Sequence, residues 1–322
     1  MARPTDVERA AVLGAGTIGA SWVAWFLAHG MRVTVWDPRP EAAGYVRRTV
    51  ADAWPAMARL GMAAGASPDA WTLCATAEDA VAGVEFVQEN APERLAIKRE
   101  LFARLDSAMP AETVLASSTS GLLMSEMQEG LRTPARFAVG HPFNPPHLIP
   151  LVEVVGGRQT SPETVTWCLE FYRHIGKRPI HIRKEVPGHL ANRLQAALWR
   201  EAVSAVVSGL ASVEDVDTAI SAGPGLRWAA MGPHMTMHLA GGEAGIAHAL
   251  SQFGPSFEAW WATMSTPGLS DSTRKQIIEG IAAEAGGRSM AELVRGRDEV
   301  LLPLLELLAK RKLAEGEEAP DV

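Results

Sequence analysis

Cysteine is almost absent: Cys74 and Cys168 are the only two among 322 residues. Both stand in apolar stretches, which excludes a disulfide framework or a thiolate zinc site and fits thiols kept reduced. Long apolar runs are missing too, and none approaches the roughly 18 residues that a membrane-crossing helix needs. The polar start, Met1-Ala2-Arg3-Pro4-Thr5-Asp6, leads into an apolar segment of about five residues, short for a signal peptide's core. Basic residues are outnumbered, 30 Lys and Arg against 37 Asp and Glu, for a net charge of −7. That balance argues against nucleic acid or an anionic membrane as partner. No internal repeat or low-complexity segment stands out. The expectation is a cytoplasmic protein whose partner is a small molecule.

What is present suffices for a large core: 47% of residues are apolar and 21% charged. The length favours two domains. Near the start a short apolar run, 10–13, breaks at Gly14-Ala15-Gly16-Thr17-Ile18-Gly19. Ile18, Trp22, Trp25, Phe26 and His29 then recur at helical spacing up to Gly30. Residues 32–36 alternate like a strand and end on Asp37. Strand, glycine turn, helix, strand and acid in this order point to dinucleotide binding. Gly14 permits the tight turn, Gly16 lets backbone approach a pyrophosphate, and Gly19 lets helix and strand pack closely. Thr17 and Ile18 stand at the helix tip, whose free N–H groups and dipole favour phosphate. Asp37 would accept hydrogen bonds from a ribose and repel a 2′-phosphate, so the cofactor expected is NAD and not NADP. A glycine turn that only packs is the plainer alternative.

Strand-like runs follow at 72–75, 84–88, 113–117, 137–140, 151–155 and 179–182, with helix-like segments at 41–60, 93–108, 122–129 and 162–175. The alternation predicts an α/β fold, a Rossmann-type, doubly wound, mostly parallel sheet. Ligands in such sheets sit beyond the carboxyl ends of the strands. Three exits there carry short polar residues: Glu89-Asn90-Ala91-Pro92-Glu93, Ser117-Ser118-Thr119-Ser120-Gly121, and Gly140-His141. Ser120 could equally be a helix cap, and Glu93 with Lys98 a solvated helix face. After His189 strand-like alternation ceases, and helices are expected at 213–222, 233–240, 243–253, 272–285 and 290–312. The predicted division is a dinucleotide-binding domain, 1–185, and an all-helical domain, 186–322, for substrate and dimerisation. Residues 314–322 read as a loose tail. His234 and His238 lack the glutamate of a metalloprotease helix, so no metal is expected. Trp228, Trp260 and Trp261 could cage a quaternary ammonium or simply pack.

The stretch from Gly140 to Val155 holds the chemistry. Prolines at 142, 145, 146 and 150 forbid helix, so the chain must turn and return. A return that lays 151–155 beside the strand ending at Gly140 brings Glu153 to His141. Histidine gives and takes protons near neutral pH, and a neighbouring carboxylate fixes its tautomer and supports the imidazolium.

With these residues the chain resembles the 3-hydroxyacyl-CoA dehydrogenase family over nearly its whole length. The likeness rests on the glycine turn with Asp37, Glu89 to Glu93, Ser117 to Ser120, His141 to Glu153, and Pro187-Gly188 followed by Asn192-Arg193-Leu194. It implies that His141 is the catalytic base and Glu153 its partner. It also implies that Ser120 and Asn192 bind the reacting end of the substrate and that Glu93, Lys98 and Asn144 lie along the nicotinamide half of NAD. Ala91 and Ser118 are expected beside the cofactor, and Phe143 and Trp228 beside the substrate. A homodimer through the helical domain is implied as well. Within the family the likeness is to the branch of L-carnitine and L-gulonate dehydrogenases and λ-crystallin. It is carried by Ser118-Thr119-Ser120-Gly121-Leu122-Leu123, Trp199-Arg200-Glu201-Ala202 and Gly225-Leu226-Arg227-Trp228-Ala229. Members that take CoA thioesters carry a lysine-rich helix after the second strand; residues 51–60 here have no lysine. The reaction expected is oxidation of a small 3-hydroxy acid to its 3-keto form. A short-chain CoA thioester substrate, or a non-catalytic NAD(H)-binding structural protein, are the alternatives.

Overall fold

The computed structural model describes residues 1–314. The chain divides into two units, one of residues up to Asn192 together with those from Leu301 on, the other from Arg193 to Val300. Residues 186–192 therefore belong with the sheet. Of the expected loose tail, residues 315–322 lie outside the described residues.

The first unit is built on one sheet of eight strands. They are β1 (Arg9–Leu13), β2 (Arg32–Trp36), β3 (Trp71–Leu73), β4 (Phe86–Glu89), β5 (Val114–Ser117), β6 (Phe137–Pro142), β7 (Leu151–Gly156) and β8 (Arg178–Ile182). Helices between them are α1 (Thr17–Ala28), α2 (Ala42–Leu60), α3 (Ala77–Val81), α4 (Leu95–Ala108), α5 (Met124–Met127) and α6 (Pro162–His174). The order across the sheet is β3-β2-β1-β4-β5-β6-β7-β8. Neighbours run parallel except β6 and β7, which the proline-rich turn reverses. Central strands β4 and β5 are buried at every position, as strands covered by helices on both faces must be.

One face of the sheet is aromatic. Trp22 and Phe26 of α1, Phe86 of β4, and Trp167, Phe171 and Tyr172 of α6 form a continuous cluster, with Phe86 and Phe171 centroids 4.3 Å apart. Such pairs add about 0.5–1.5 kcal/mol each beyond area burial. Leu301, Leu302 and Leu305 pack against this side, and Arg59 pairs with Glu306 at 2.9 Å. The other face packs Leu101, Phe102 and Leu105 of α4 against Phe137, Met124 and Met127. Helix α1 is buried from Gly19 to Ala28, so it reads as apolar all round, not amphipathic. Helix α6 opens on Ser161, whose side chain accepts from Thr164 N, with Pro162 in the first turn.

Two details of this unit depart from the sequence expectation. Helix α3 was not foreseen; five residues are too few to show a period, and only its Thr76 cap announces it. The helix expected over 122–129 shrinks to the four residues of α5, because the loop before it is bound to Glu93.

The second unit is helical. Helix α7 (Ala191–Val207) enters it, followed by α8 (Val213–Ser221), α9 (Pro224–Ala230), α10 (Pro233–Ala240), α11 (Gly245–Thr263), α12 (Asp271–Ala285) and the start of α13 (Met290–Ala314). Helix α8 opens on a capping box between Ser212 and Asp215. A Cβ at Gly280 would lie 2.2 Å from the Val213 side chain, so glycine sets how closely α12 meets α8. Helix α11 runs on through Pro255 to Thr263, past its expected end at 253. His238 Nδ1 accepts from Ile246 N at 3.1 Å. Leu210, Leu226, Leu250 and Trp261 stand more than 60% exposed. No helix of the described residues is long and apolar enough to cross a membrane.

Candidate active site

The antiparallel pairing of β6 with β7 sets His141 directly opposite Glu153. Their side chains meet, His141 Nδ1 to Glu153 Oε2, at 2.9 Å. An ionised carboxylate only accepts, so Nδ1 carries the proton and Nε2 is the bare nitrogen. Glu153 is wholly buried. Its other oxygen accepts from Leu190 N at 2.9 Å and Ala191 N at 2.8 Å, the amides that lead into α7. Burial alone would raise its pKa. The hydrogen bonds from His141, Ala191 and Leu190 outweigh that and hold it below the ordinary carboxylate value. The Phe143 ring stands edge-on to His141 with centroids 5.1 Å apart.

Ser120 is exposed on the loop after β5. Glu93 Oε1 braces that loop, accepting from Thr119 Oγ1 at 2.6 Å, Ser120 N at 2.8 Å and Gly121 N at 3.1 Å. Asn192 Nδ2 donates to Ser120 O at 3.1 Å. His141, Glu153, Ser120 and Asn192 are thus tied into one assembly by β6, β7, the β5 exit and the first turn of α7.

Several residues expected to hold the cofactor gather along the ends of β1, β2 and β4. Gly14, at φ 84°, has no room for a Cβ, which would sit 2.6 Å from Asn90 O. A Cβ at Gly19 would lie 1.8 Å from Gly14 O, whereas one at Gly16 would meet nothing within 4 Å. Backbone at Gly16 is therefore open to a ligand. The N-terminus of α1 has no side-chain cap, which leaves its first amides free. Asp37 Oδ2 accepts from Ala15 N at 2.7 Å, and Arg39 Nε reaches Asp37 Oδ1 at 2.8 Å. Burial raises the Asp37 pKa, but the Arg39 side chain and the Arg39 and Ala15 amides bring it below its usual value. An anion here refuses a 2′-phosphate and welcomes ribose hydroxyls. An open glycine turn, an uncapped helix tip and an anionic carboxylate at the next strand end fit NAD.

Of the other expected cofactor residues, Lys98 alone is fully buried. Lys98 is 1% exposed, and its Nζ donates hydrogen bonds to both Glu89 oxygens, at 2.8 and 2.9 Å, and to Ala91 O at 3.1 Å. Ala91 N in turn donates to Glu89 Oε1. Ser118 Oγ accepts from Gln88 Nε2 at 2.8 Å and donates to Asn90 Oδ1 at 2.7 Å. Thr17 Oγ1 lies 3.4 Å from Tyr45 OH, and Asn144 is exposed at the turn after β6. Trp228 belongs to the helical unit, in α9.

Two polar residues of β4 have supporting tasks that the strand-exit pattern does not specify. Glu89 is one, buried at the end of β4 between Lys98 and Ser117. Gln88 is another: its Oε1 accepts from the Tyr172 hydroxyl at 2.6 Å, and its Nε2 donates to Gly140 O at 3.1 Å, just before His141. Glycine is required at 140 because a Cβ would fall 2.1 Å from that hydroxyl. A polar pair closing an otherwise apolar strand, Gln88-Glu89, was the signal available.

Residues 9–186 match the family described as 3-hydroxyacyl-CoA dehydrogenase, NAD binding domain, and residues 188–279 match its C-terminal domain. The chain belongs to the 3-hydroxyacyl-CoA dehydrogenase family. Among curated proteins it is 53% identical to an L-carnitine dehydrogenase of Streptomyces griseus over 302 residues, covering 94% of this chain and 90% of that protein. It is 46% identical to one from Pseudomonas putida over 312 residues, 97% of each. Among solved structures it is similar to an NAD-dependent 5-formyl-3-hydroxy-2-methylpyridine 4-carboxylic acid 5-dehydrogenase, at 28% identity and TM-score 0.80 over 97% of this chain and all of that one. It is also similar to Escherichia coli 3-hydroxybutyryl-CoA dehydrogenase, at 28% identity and TM-score 0.64, covering 85% of this chain and 57% of that one. This member of the family is an NAD-dependent dehydrogenase of a small 3-hydroxy compound.

Proposed function

We propose that the chain oxidises the 3-hydroxyl of L-carnitine, or of a close small 3-hydroxy acid, to the 3-keto compound, with His141 as base. The observation that carries the chemistry is the 2.9 Å contact between His141 Nδ1 and a buried Glu153, which leaves Nε2 free to take a proton. His141 Nε2 removes the hydroxyl proton, and Glu153 offsets the charge the ring gains. Ser120 and Asn192 direct the substrate oxygen to His141. In the reverse direction the imidazolium polarises the keto oxygen, an electrostatic task. Gly14, Gly16, Gly19, the tip of α1 and Asp37 hold NAD, which when bound accepts the hydride. Glu93 and Lys98 shape the nicotinamide end, Glu93 through the Ser120 loop and Lys98 through Ala91.

The preference for a free acid is supported by the named relatives and by α2, whose residues 51–60 offer no lysine to a CoA phosphate. The reading places the protein in the cytoplasm, where Cys74 and Cys168 stay reduced. The test is NADH formation with L-carnitine, L-gulonate, 3-hydroxybutyrate and 3-hydroxybutyryl-CoA. Turnover of L-carnitine well above the thioester is expected. Strong thioester activity with none on the free acids would overturn the substrate assignment and leave the base in place.

A further inference from the structure

His189 is the one residue other than glycine with positive φ among those described, at 49°. A side-chain-bearing residue rarely adopts this conformation, so its surroundings must impose it. They are all parts of the site. The turn it makes delivers the next two amides, Leu190 and Ala191, to Glu153. Its ring is 1% exposed, with its centroid 5.4 Å from that of His141. His189 Nε2 lies 3.0 Å from Thr119 O, the carbonyl that precedes Ser120. A carbonyl only accepts, so Nε2 carries the proton. Nδ1 is then the bare nitrogen, buried and without a partner.

We propose that His189 is a positioning residue for the oxidation step, a neutral imidazole that ties the Ser120 loop to the His141–Glu153 pair. Three elements meet on it: β6 through the His141 ring, the β5 exit through Thr119, and α7 through the amides that reach Glu153. Asn192, three residues on, closes the same triangle by donating to Ser120 O. The ring must stay neutral, because a second cation beside His141 would oppose the imidazolium that the reaction forms. The groups facing it are His141 from β6, Glu153 from β7, Glu93 from the segment after β4, and the Thr119 carbonyl. Burial, the largest cause, lowers its pKa, as would a charge on His141; the Thr119 bond and the Glu153 and Glu93 carboxylates raise it, and the net direction is down. Nδ1 has no acceptor to receive a second proton's bond.

This inference rests on His141 being the base, and its test separates the two. His189→Phe keeps a ring against His141 and deletes the donor to Thr119. His189→Asn keeps a donor and tolerates the left-handed backbone. With whichever 3-hydroxy acid the wild type oxidises, kcat of the Phe variant should fall about 10- to 100-fold, as for a misplaced substrate. NADH affinity, read by fluorescence titration, should stay within about twofold, and the deuterium isotope effect at the reacting carbon should rise. The Asn variant should recover part of the loss. An unchanged kcat and isotope effect, or a loss of kcat matched by a loss of NADH affinity, overturns the proposal. Nitrogen NMR of histidine-labelled wild type needs neither a substrate nor a folded variant. It should show His189 neutral with its proton on Nε2 at neutral pH. A cation or the other tautomer overturns the proposal even if the dehydrogenase activity is confirmed.

Discussion

At the scale of single side chains, the chemistry turns on which nitrogen of His141 is bare. Glu153 decides it by taking the Nδ1 proton's bond, and Glu153 in turn is kept anionic by three donors that outweigh its burial. A carboxyl held below its ordinary pKa binds fewer protons folded than unfolded. The stability it contributes is complete above the usual carboxylate range, near pH 4.3, and is lost as pH falls through the depressed folded value. Glu153→Gln should therefore flatten the acid side of a plot of melting temperature against pH. It should also lower kcat at least about 100-fold, since a neutral partner no longer supports the imidazolium. An acid limb as steep as in the wild type would mean that Glu153 is not the titrating group. The His141–Glu153 pair was legible because prolines at 142, 145, 146 and 150 force the reversal and leave Glu153 twelve positions after His141. Glu89 was legible as a polar strand exit but its task was not, nor were Gln88 and His189, since each acquires its meaning from partners elsewhere along the chain.

Among elements, β1, α1 and β2 were the easiest to foresee. The glycines at 14 and 19 are demanded by backbone contacts a side chain could not survive, and such demands leave a spelling in the sequence. Parallel strands covered on both faces announce themselves as short apolar runs, and β4 and β5 fell within a residue or two of expectation. Helix α3 and helix α9 gave no such signal. The first is one turn and a half long, and the second itself begins on Pro224 and Gly225 after Gly223, a spelling that suggests a loop. The pairing of β6 with β7 matters most for function. Antiparallel register puts opposite residues on the same face, so a one-residue slip would turn Glu153 away from His141.

At the scale of the whole molecule, the helical unit leaves large apolar side chains exposed, Leu210, Leu226, Leu250 and Trp261 among them. Exposed large apolar side chains are a usual mark of an interface, and we propose that they meet a second copy in a twofold pair, the commonest closed assembly. Sedimentation equilibrium should return twice the chain mass of 34.4 kDa; a monomer at micromolar concentration would contradict this. The sequence exposed that surface as an apolar helical stretch but could not say which side chains it would leave uncovered, because exposure follows from the packing of α8, α11 and α12. The central claim, that His141 is the proton acceptor of an NAD-dependent oxidation, is tested most directly by one substitution. His141→Gln should lower kcat by about 10²–10⁴ while NADH binding, measured by fluorescence, stays close to wild type; a variant that turns over at the wild-type rate would contradict the account.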